Sequence, residues 1–439
     1  MYPFPKLLAV AALMIATGLA AWPGAAVTAA HGQAPPPRNV PSVRPLEPYQ
    51  PRTPQAQPHP SPSPYDQLQS QVQPGAPAAT PVAPVPHPAP APAPPPPPQR
   101  PPGFVAVVER PLSVTRFALD NAEGQDMLNK ALLAYTQRAT PAEAWQSLGI
   151  TPADVVGIKI TSGGPGGARD IATKQPLVAA IIRGLMSAGV PPRHIIVWDR
   201  WAADMRGAGY PPGPGMGGVT YSAITARDYD KEALFIYEVP GALMWGDADF
   251  KAGSGTDMYE MAKEYGTPGG GASGSGSQVS TRSYFANIVS KKCTKIINVP
   301  AFVDNPGTGL NGCMASLALG SVDNNRRMIG DGQWGDPAIA DILSKDVLAK
   351  KVVLHILDAT VAQYAGGPKF NPRNTESFGA ILLSRDPVAI DTLALERAEK
   401  LRKDHKVVPM GKTAAHIKTG ESYGLGVAKR DKIQVLKVP

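Results

Sequence analysis

From Val155 onward, short continuous apolar runs alternate with stretches in which apolar residues recur every three or four positions. Val155-Val156-Gly157-Ile158-Lys159-Ile160 reads as a strand, and Thr161 to Gly167 as a glycine-rich loop. Leu177, Val178, Ile181, Ile182 and Leu185 have helical spacing and predict a helix over 174–188. Thr173 is placed to cap that helix, and Pro176 falls in its first turn, where a missing N–H costs little. Gly189 suits a left-handed helix end, and Pro191-Pro192 prevents continuation. Ile195-Ile196-Val197-Trp198 is the next strand, so the unit predicts a right-handed parallel crossover.

A second unit follows the same order. Lys295-Ile296-Ile297-Asn298-Val299-Pro300 predicts a strand, and a glycine-rich connection leads to a helix over about 310–319. Asp336-Pro337 is read as the cap of a helix running to about Lys350. Val352 to Leu357 and Phe378 to Leu383 are two further strands, the latter feeding a helix from Pro387 to about Lys403. Between the units, Leu234 to Val239 reads as a strand, and Gly266 to Ser277 as a Gly/Ser-rich surface loop. Runs this continuous imply a sheet covered on both faces. The expected fold class is α/β: a mostly parallel sheet with helices on both faces and Rossmann-like strand–helix–strand units, in one large domain or two lobes.

In such sheets ligands bind beyond the carboxyl ends of strands. Those ends carry Thr161 and Ser162, Asp199 and Arg200, Asp304 and Asn305, Asp358, and Asp386. Oxygen-rich clusters suit a hard divalent cation. Asp199, Asp304, Asp358 and Asp391 are therefore candidate metal ligands, against the reading that each Asp caps a helix or turn. Lys159, Ser162, Arg200, Asn298 and Asn305 are candidate ligand-binding residues. Lys159 lies inside an apolar strand, where it must pair, snorkel or face water. The loop from Ser162 to Gly167 lacks GxGxxG spacing and a following Lys-Ser/Thr pair, so turning explains its glycines better than phosphate binding. No G-x-S-x-G elbow occurs, and the seven histidines show no metal-ligand spacing. Asp386 with Pro387 has the form of a helix cap, and Asp391, one turn on, complements the helix dipole.

Composition divides the 439 residues into three parts. Residues 1–30 have the form of a cleaved signal peptide: Lys6, an apolar run from Leu7 to Ala21, and small residues at Ala26, Ala29 and Ala30. Residues 31–102 hold more than half of the 50 prolines, including Pro94 to Pro98, and predict a disordered, partly polyproline spacer. That arm is read as a linker, or as the place where a cell-envelope partner docks. Residues 103–439 form the folded part. The net charge of +8 is scattered, with no zinc-finger spacing and no basic stripe, which argues against nucleic acid as a partner. No transmembrane helix is expected after signal cleavage. Cys293 and Cys313 are too few for a four-thiolate iron–sulfur cluster; they pair or remain buried thiols.

Three segments together resemble the family called domain of unknown function 362. They are Val156 to Lys159 through Gly189-Val190-Pro191 to Arg200; Ile296 to Pro300 with its glycine-rich continuation; and Leu357-Asp358-Ala359, Gly366-Gly367-Pro368 and Ser384 to Asp391. The resemblance covers most of residues 150–400 and implies an α/β fold with an activity left open. Some relatives carry ferredoxin-type cysteine clusters, and this chain has no such cysteines. Relatives typically place a Lys and a His after the Val-Pro strand end and a Lys-Asn pair on the next helix. The matching positions here are Val303, Asn305, Ala315 and Ser316, while Asp304, Gly307 and Gly309 fit the pattern. The resemblance thus implies either a different ligand or binding without catalysis. The expected function is an exported, envelope-associated protein that binds a small ligand or cation at its strand ends. The alternative is a metal-dependent or cofactor-using enzyme with a carboxylate-lined crevice.

Overall fold

The structure, a computed structural model, describes residues 100–225, 227–237, 282–323, 325–329 and 334–439. The signal-like segment, the Pro-rich tract up to residue 99 and the Gly/Ser-rich stretch 266–277 lie outside those residues. The described part begins with strand β1 (Phe104–Glu109) and helix α1 (Asn121–Thr136), whose N-terminal N–H groups are accepted by Asp120. Helix α2 (Pro141–Ser147) starts on a capping box of Thr140 and Glu143, with Pro141 at its first position. Strand β2 (Val156–Ile160), helix α3 (Gln175–Ser187) and strand β3 (Ile195–Asp199) form the first predicted unit. Helix α4 (Ala202–Ala208), strand β4 (Thr220–Ala223) and the hairpin strands β5 (Tyr229–Ile236) and β6 (Arg282–Ala286) follow. The second unit comprises strands β7 (Lys295–Val299) and β8 (Ala301–Asn305) and helices α5 (Cys313–Ser321), α6 (Ala338–Ser344) and α7 (Asp346–Ala349). Strands β9 (Val352–Gln363) and β10 (Thr375–Ser384), helices α8 (Pro387–Asp404) and α9 (Ala415–Ser422), and strand β11 (Gln434–Val438) complete it.

Strands β5 and β6 pair with each other as a separate two-stranded sheet; the other nine, with the short strands Gly213–Pro214 and Gly309–Leu310, build one eleven-stranded sheet with the path β11-β1-β10-β9-β7-β2-β3-β4, ending on Gly213–Pro214. Strand β8 runs beside the second half of β9. The stretch β9-β7-β2-β3-β4 is parallel, as expected for crossover units. Helices α1 to α3 cover one face, around Met127, Leu132, Trp145, Ile181 and the sheet residues Ile158, Val197, Ile297 and Ile356. Helices α5, α6, α8 and α9 and the β5–β6 hairpin cover the other, around Phe235, Met314, Leu317, Ile342 and Ile390 with the sheet residues Ile296 and Leu357.

Several sequence expectations change in detail. Thr173 does not cap α3; its hydroxyl donates to the Val299 carbonyl at 2.7 Å and accepts the Thr161 N–H at 2.9 Å, tying two strand ends together. Asp336 does not cap α6, and the predicted helix to Lys350 breaks at Lys345, whose backbone is extended (φ −69°, ψ 133°). Leu310 lies outside α5 because Gly309 and Leu310 pair antiparallel with Asn305 and Asp304. The strand predicted over 234–239 begins earlier, at Tyr229, and Val239 is outside the described residues.

One change bears on function. Strand β10 runs antiparallel to β9, with Ser384 level with His355 and Ile381 level with Asp358. Its end therefore points away from the carboxyl edge of the parallel strands. Arg385 and Asp386 lie at the opposite edge, where Arg385 reaches the Val353 carbonyl and Asp386 accepts the Gly103 and Val427 N–H groups. The rule that selects strand ends holds only for the parallel part of the sheet.

Candidate functional site

Residues level with one another in a sheet project from the same face. Trp198, Lys159, Asn298, His355 and Ser384 are level across β3, β2, β7, β9 and β10. They form a buried row of mostly polar side chains in strands that are otherwise apolar, on the face covered by α5. Helix α5 meets this row closely: a Cβ at Gly320 would sit 2.6 Å from Lys159 Cε, so the glycine makes room for the lysine stem.

Lys159 is 2% exposed and forms an ion pair with Asp199, Nζ to Oδ1 at 2.8 Å. Its ammonium also donates to the Ile160 carbonyl at 2.6 Å and to Ser316 Oγ at 3.3 Å, and stands 5.6 Å from the Trp198 ring. All its donor directions are engaged, which is what a buried ammonium requires. The Asp199 carboxylate accepts the Ser162 N–H at 3.0 Å, the Ser162 hydroxyl at 2.6 Å and the Arg200 N–H at 2.8 Å. Thr161 and Ser316 are joined through their hydroxyls at 3.1 Å. The sequence alternatives for Lys159 thus resolve to burial with a partner, and Ser316, marked earlier only as a departure from relatives, is part of the cluster.

Next along the row, Asn298 donates to the Cys313 carbonyl at 2.8 Å and faces His355 Nδ1 at 3.0 Å. Donation from the amide makes Nδ1 the acceptor and puts the imidazole proton on Nε2. Burial lowers the His355 pKa to about 3, so the ring is neutral. Asn298 Oδ1 is buried without a hydrogen-bond partner.

The four candidate metal ligands are not gathered together. Asp358 accepts the Lys174 N–H at 2.7 Å, at the start of α3, and the Thr360 hydroxyl at 2.5 Å. Asp391, on α8, accepts the Cys313 and Met314 N–H groups at 2.6 and 2.8 Å, capping α5 from another helix. Gly312 precedes α5 because any Cβ there would overlap the Asp391 carboxylate. Asp304 accepts the Gly367 N–H at 2.9 Å and the Gln363 amide at 3.3 Å. Asp199 is held by Lys159. Among the described residues no three His, Cys, Asp or Glu side chains are grouped to hold a metal ion. Asp386 does cap α8, through the Ala389 N–H at 2.8 Å, as its sequence context predicts.

Arg200 differs from all of these. It is 6% exposed, its guanidinium lies 4.6 Å from the centre of the Trp201 ring, and neither Nε nor Nη2 has a hydrogen-bond partner. The buried Tyr229 hydroxyl is in side-chain contact with the Arg200 guanidinium, and the charge and contact of Arg200 pull against the burial that raises the phenol to about 12. That hydroxyl too lacks a well-formed hydrogen bond.

The glycine-rich loop after β2 is packed rather than open. Gly166 N–H donates to Asp204 Oδ1 at 2.7 Å, and a Cβ at Gly164 would overlap the Pro368 carbonyl. Gly164 has φ +87°, so both conformation and space call for glycine. Asn305, the remaining candidate, accepts the Gly307 N–H at 2.8 Å within its own turn and, among the described residues, forms no hydrogen bond with the Lys159 cluster. Cys293 and Cys313 are free and buried, and burial pushes the Cys293 thiol up to about 12, away from thiolate reactivity.

The fold and this edge define an α/β protein with a mixed, mostly parallel sheet and a polar cluster at the carboxyl ends of its first parallel strands. Residues 230–396 match the family described as "Domain of unknown function (DUF362)". The match takes in the second and third resembling segments, whereas the first, 156–200, lies before it. No curated protein matches the chain. Among solved structures, a protein from Thermotoga maritima is similar over 56% of this chain and 51% of its own, with 9% identity and a TM-score of 0.31. The chain thus spans about half the length of that protein.

Two predictions follow from the buried charges. Asp199→Ala leaves the Lys159 ammonium unpaired and should cost about 3–5 kcal/mol in urea denaturation, more than Lys159→Met, which removes the buried charge itself. Equal losses, or a milder effect of Asp199→Ala, would contradict the pairing argument. The second concerns Asp391, whose pKa burial raises from 3.8 to about 7 despite its two N–H donors. The folded carboxyl then binds its proton more tightly than the unfolded one. Its stabilising contribution is complete below the unfolded value and is lost as pH rises through about 7, on the order of a few kcal/mol. Asp391→Asn should flatten that part of the stability–pH curve, and an unchanged slope between pH 5 and 8 would refute it.

Proposed function

We propose that this protein binds a small anionic ligand at the carboxyl edge of β2 and β3, with Arg200 holding the anion. The observation that supports this is the buried Arg200 guanidinium with Nε and Nη2 unpartnered. A buried cation short of acceptors is costly, and two guanidinium donors without a well-formed hydrogen bond match the fork geometry of a carboxylate or phosphate. Trp201 lies against the guanidinium, and Ser162 stands beside Arg200 on the Asp199 carboxylate. The Lys159–Asp199 pair has already answered its own charges, so it shapes the floor of the edge and leaves Arg200 to meet the ligand.

Binding is favoured over catalysis because the acids and the histidine of this edge are committed. Asp199 accepts from Lys159, Ser162 and Arg200, and His355 is neutral and covered. The protein works outside the cytoplasm on this reading, supported by the signal-like pattern of residues 1–30 and by the Pro-rich arm as spacer or docking segment for an envelope partner. N-terminal sequencing of protein from the envelope fraction should begin after Ala26, Ala29 or Ala30; an intact N-terminus would contradict export.

Isothermal titration of the mature protein with inorganic phosphate, sulfate, acetate and malonate tests the anion site. At least one should bind, and Arg200→Gln should weaken it about 10–100-fold, the scale of lost charge-assisted hydrogen bonds. Arg200→Lys, which keeps charge without the fork, should recover only part of it. Binding that is unchanged in Arg200→Gln, or an absence of binding by every anion, would overturn the proposal.

A further inference from the structure

A second feature lies elsewhere, between the sheet and α8. A cavity of about 350 Å³ is walled by Val107, Leu382 and Leu357 from the sheet, with Phe302, Phe378 and Leu393 completing its apolar surface. That volume is within the range of roughly 300–1,000 Å³ usual for small-molecule pockets. The helix leaves the sheet incompletely covered here: Val107, Ala380 and Leu382 keep 6 to 9% exposure in strands otherwise largely closed.

The rim is charged with one sign in excess. Arg397, Lys400, Arg430 and Lys437 border the cavity, against Glu109 and Glu396. Arg430 is paired with Glu396 at 2.7 Å, and Lys400 is paired with Asp404. The Arg397 guanidinium stands over Phe378, 4.4 Å from the ring centre, and forms no salt bridge among the described residues. Lys437 is exposed on the edge strand β11 and likewise carries no carboxylate partner there. Because Lys437 is level with Val107, it projects on the cavity side of the sheet.

We propose that this cavity binds a single-chain amphipathic carboxylate, a medium-chain fatty acid, with its hydrocarbon against Phe302, Leu357, Phe378 and Leu382 and its head group between Arg397 and Lys437. The apolar wall excludes a fully polar anion, and the unpaired cations at the mouth favour a negative head over a neutral or positive one. This site shares no residue with the Arg200 edge, so either can fail without the other.

Titration of the mature protein with octanoate, decanoate and dodecanoate below their critical micelle concentrations tests it. Affinity should rise with chain length, by up to about fourfold per added methylene if each is fully buried. Dodecyl maltoside and dodecylammonium should bind at least tenfold more weakly than dodecanoate. The double variant Arg397→Glu, Lys437→Glu changes two exposed side chains and should keep its fold by circular dichroism while losing dodecanoate affinity tenfold or more. Undetectable dodecanoate binding, no dependence on chain length, or undiminished binding by the double variant would overturn the proposal. So would a concentration-dependent dimer abolished by the same two substitutions without fatty-acid binding, which would assign the cavity to a second copy of the chain.

Discussion

A lysine ammonium placed inside a sheet, under a helix, has to find its opposite charge within a few ångströms. Lys159 finds Asp199 at the end of the next strand, and much of the surrounding edge is arranged around that pair. Gly320 leaves space for the stem, Ser316 and the Ile160 carbonyl take the remaining ammonium donors, and Ser162 and the Arg200 N–H fill the carboxylate. Two strand ends, one loop and one helix are thereby fixed relative to each other. An ion pair of this kind is not strong evidence for stability, since its desolvation offsets its attraction. Its consequence is positional: with Asp199 occupied by Lys159, Arg200 is left with unfilled donors.

The other buried acids are ties between distant elements. Asp391 joins α8 to the start of α5, Asp358 joins β9 to the start of α3, and Asp386 joins the start of α8 to Gly103 and Val427. Each meets N–H groups that would otherwise be buried without acceptors, the accounting that governs helix starts and loop ends in a covered sheet. Carboxylates so engaged are poor candidates for a shared cation, because each would have to release a backbone partner. The Asp-rich strand ends thus have a structural explanation that spacing alone does not distinguish from a metal cluster.

Much of the fold is legible in the sequence because each parallel strand is a continuous apolar run between turn signals. The units Val156–Asp199 and Lys295–Gln363 follow that pattern closely. Strand direction is another matter: the run before Asp386 looks the same whether β10 runs parallel or antiparallel, so the pattern alone puts Asp386 at the wrong edge. The capping box at Thr140 and Glu143 marks α2, but nothing local shows that β1 enters the sheet beside β10. At the site, Lys159 and Asn298 stand out as polar residues within apolar strands, and His355 has the same signature but draws notice only once its register with Asn298 is known. The hydroxyl pairing of Thr161 with Ser316 and the approach of Gly320 to Lys159 join residues more than 150 positions apart and follow only from the packing of α5 on the sheet.

The satisfied Lys159–Asp199 pair sets the edge at which we propose that Arg200 takes an anion. A crystal structure of the mature protein grown with inorganic phosphate tests it most directly. A tetrahedral anion should lie within hydrogen-bonding distance of Arg200 Nε and Nη2, with the Lys159–Asp199 contact intact beneath it. An Arg200 guanidinium turned to solvent or paired with a protein carboxylate, or a Lys159 released from Asp199 to meet the anion, would contradict it.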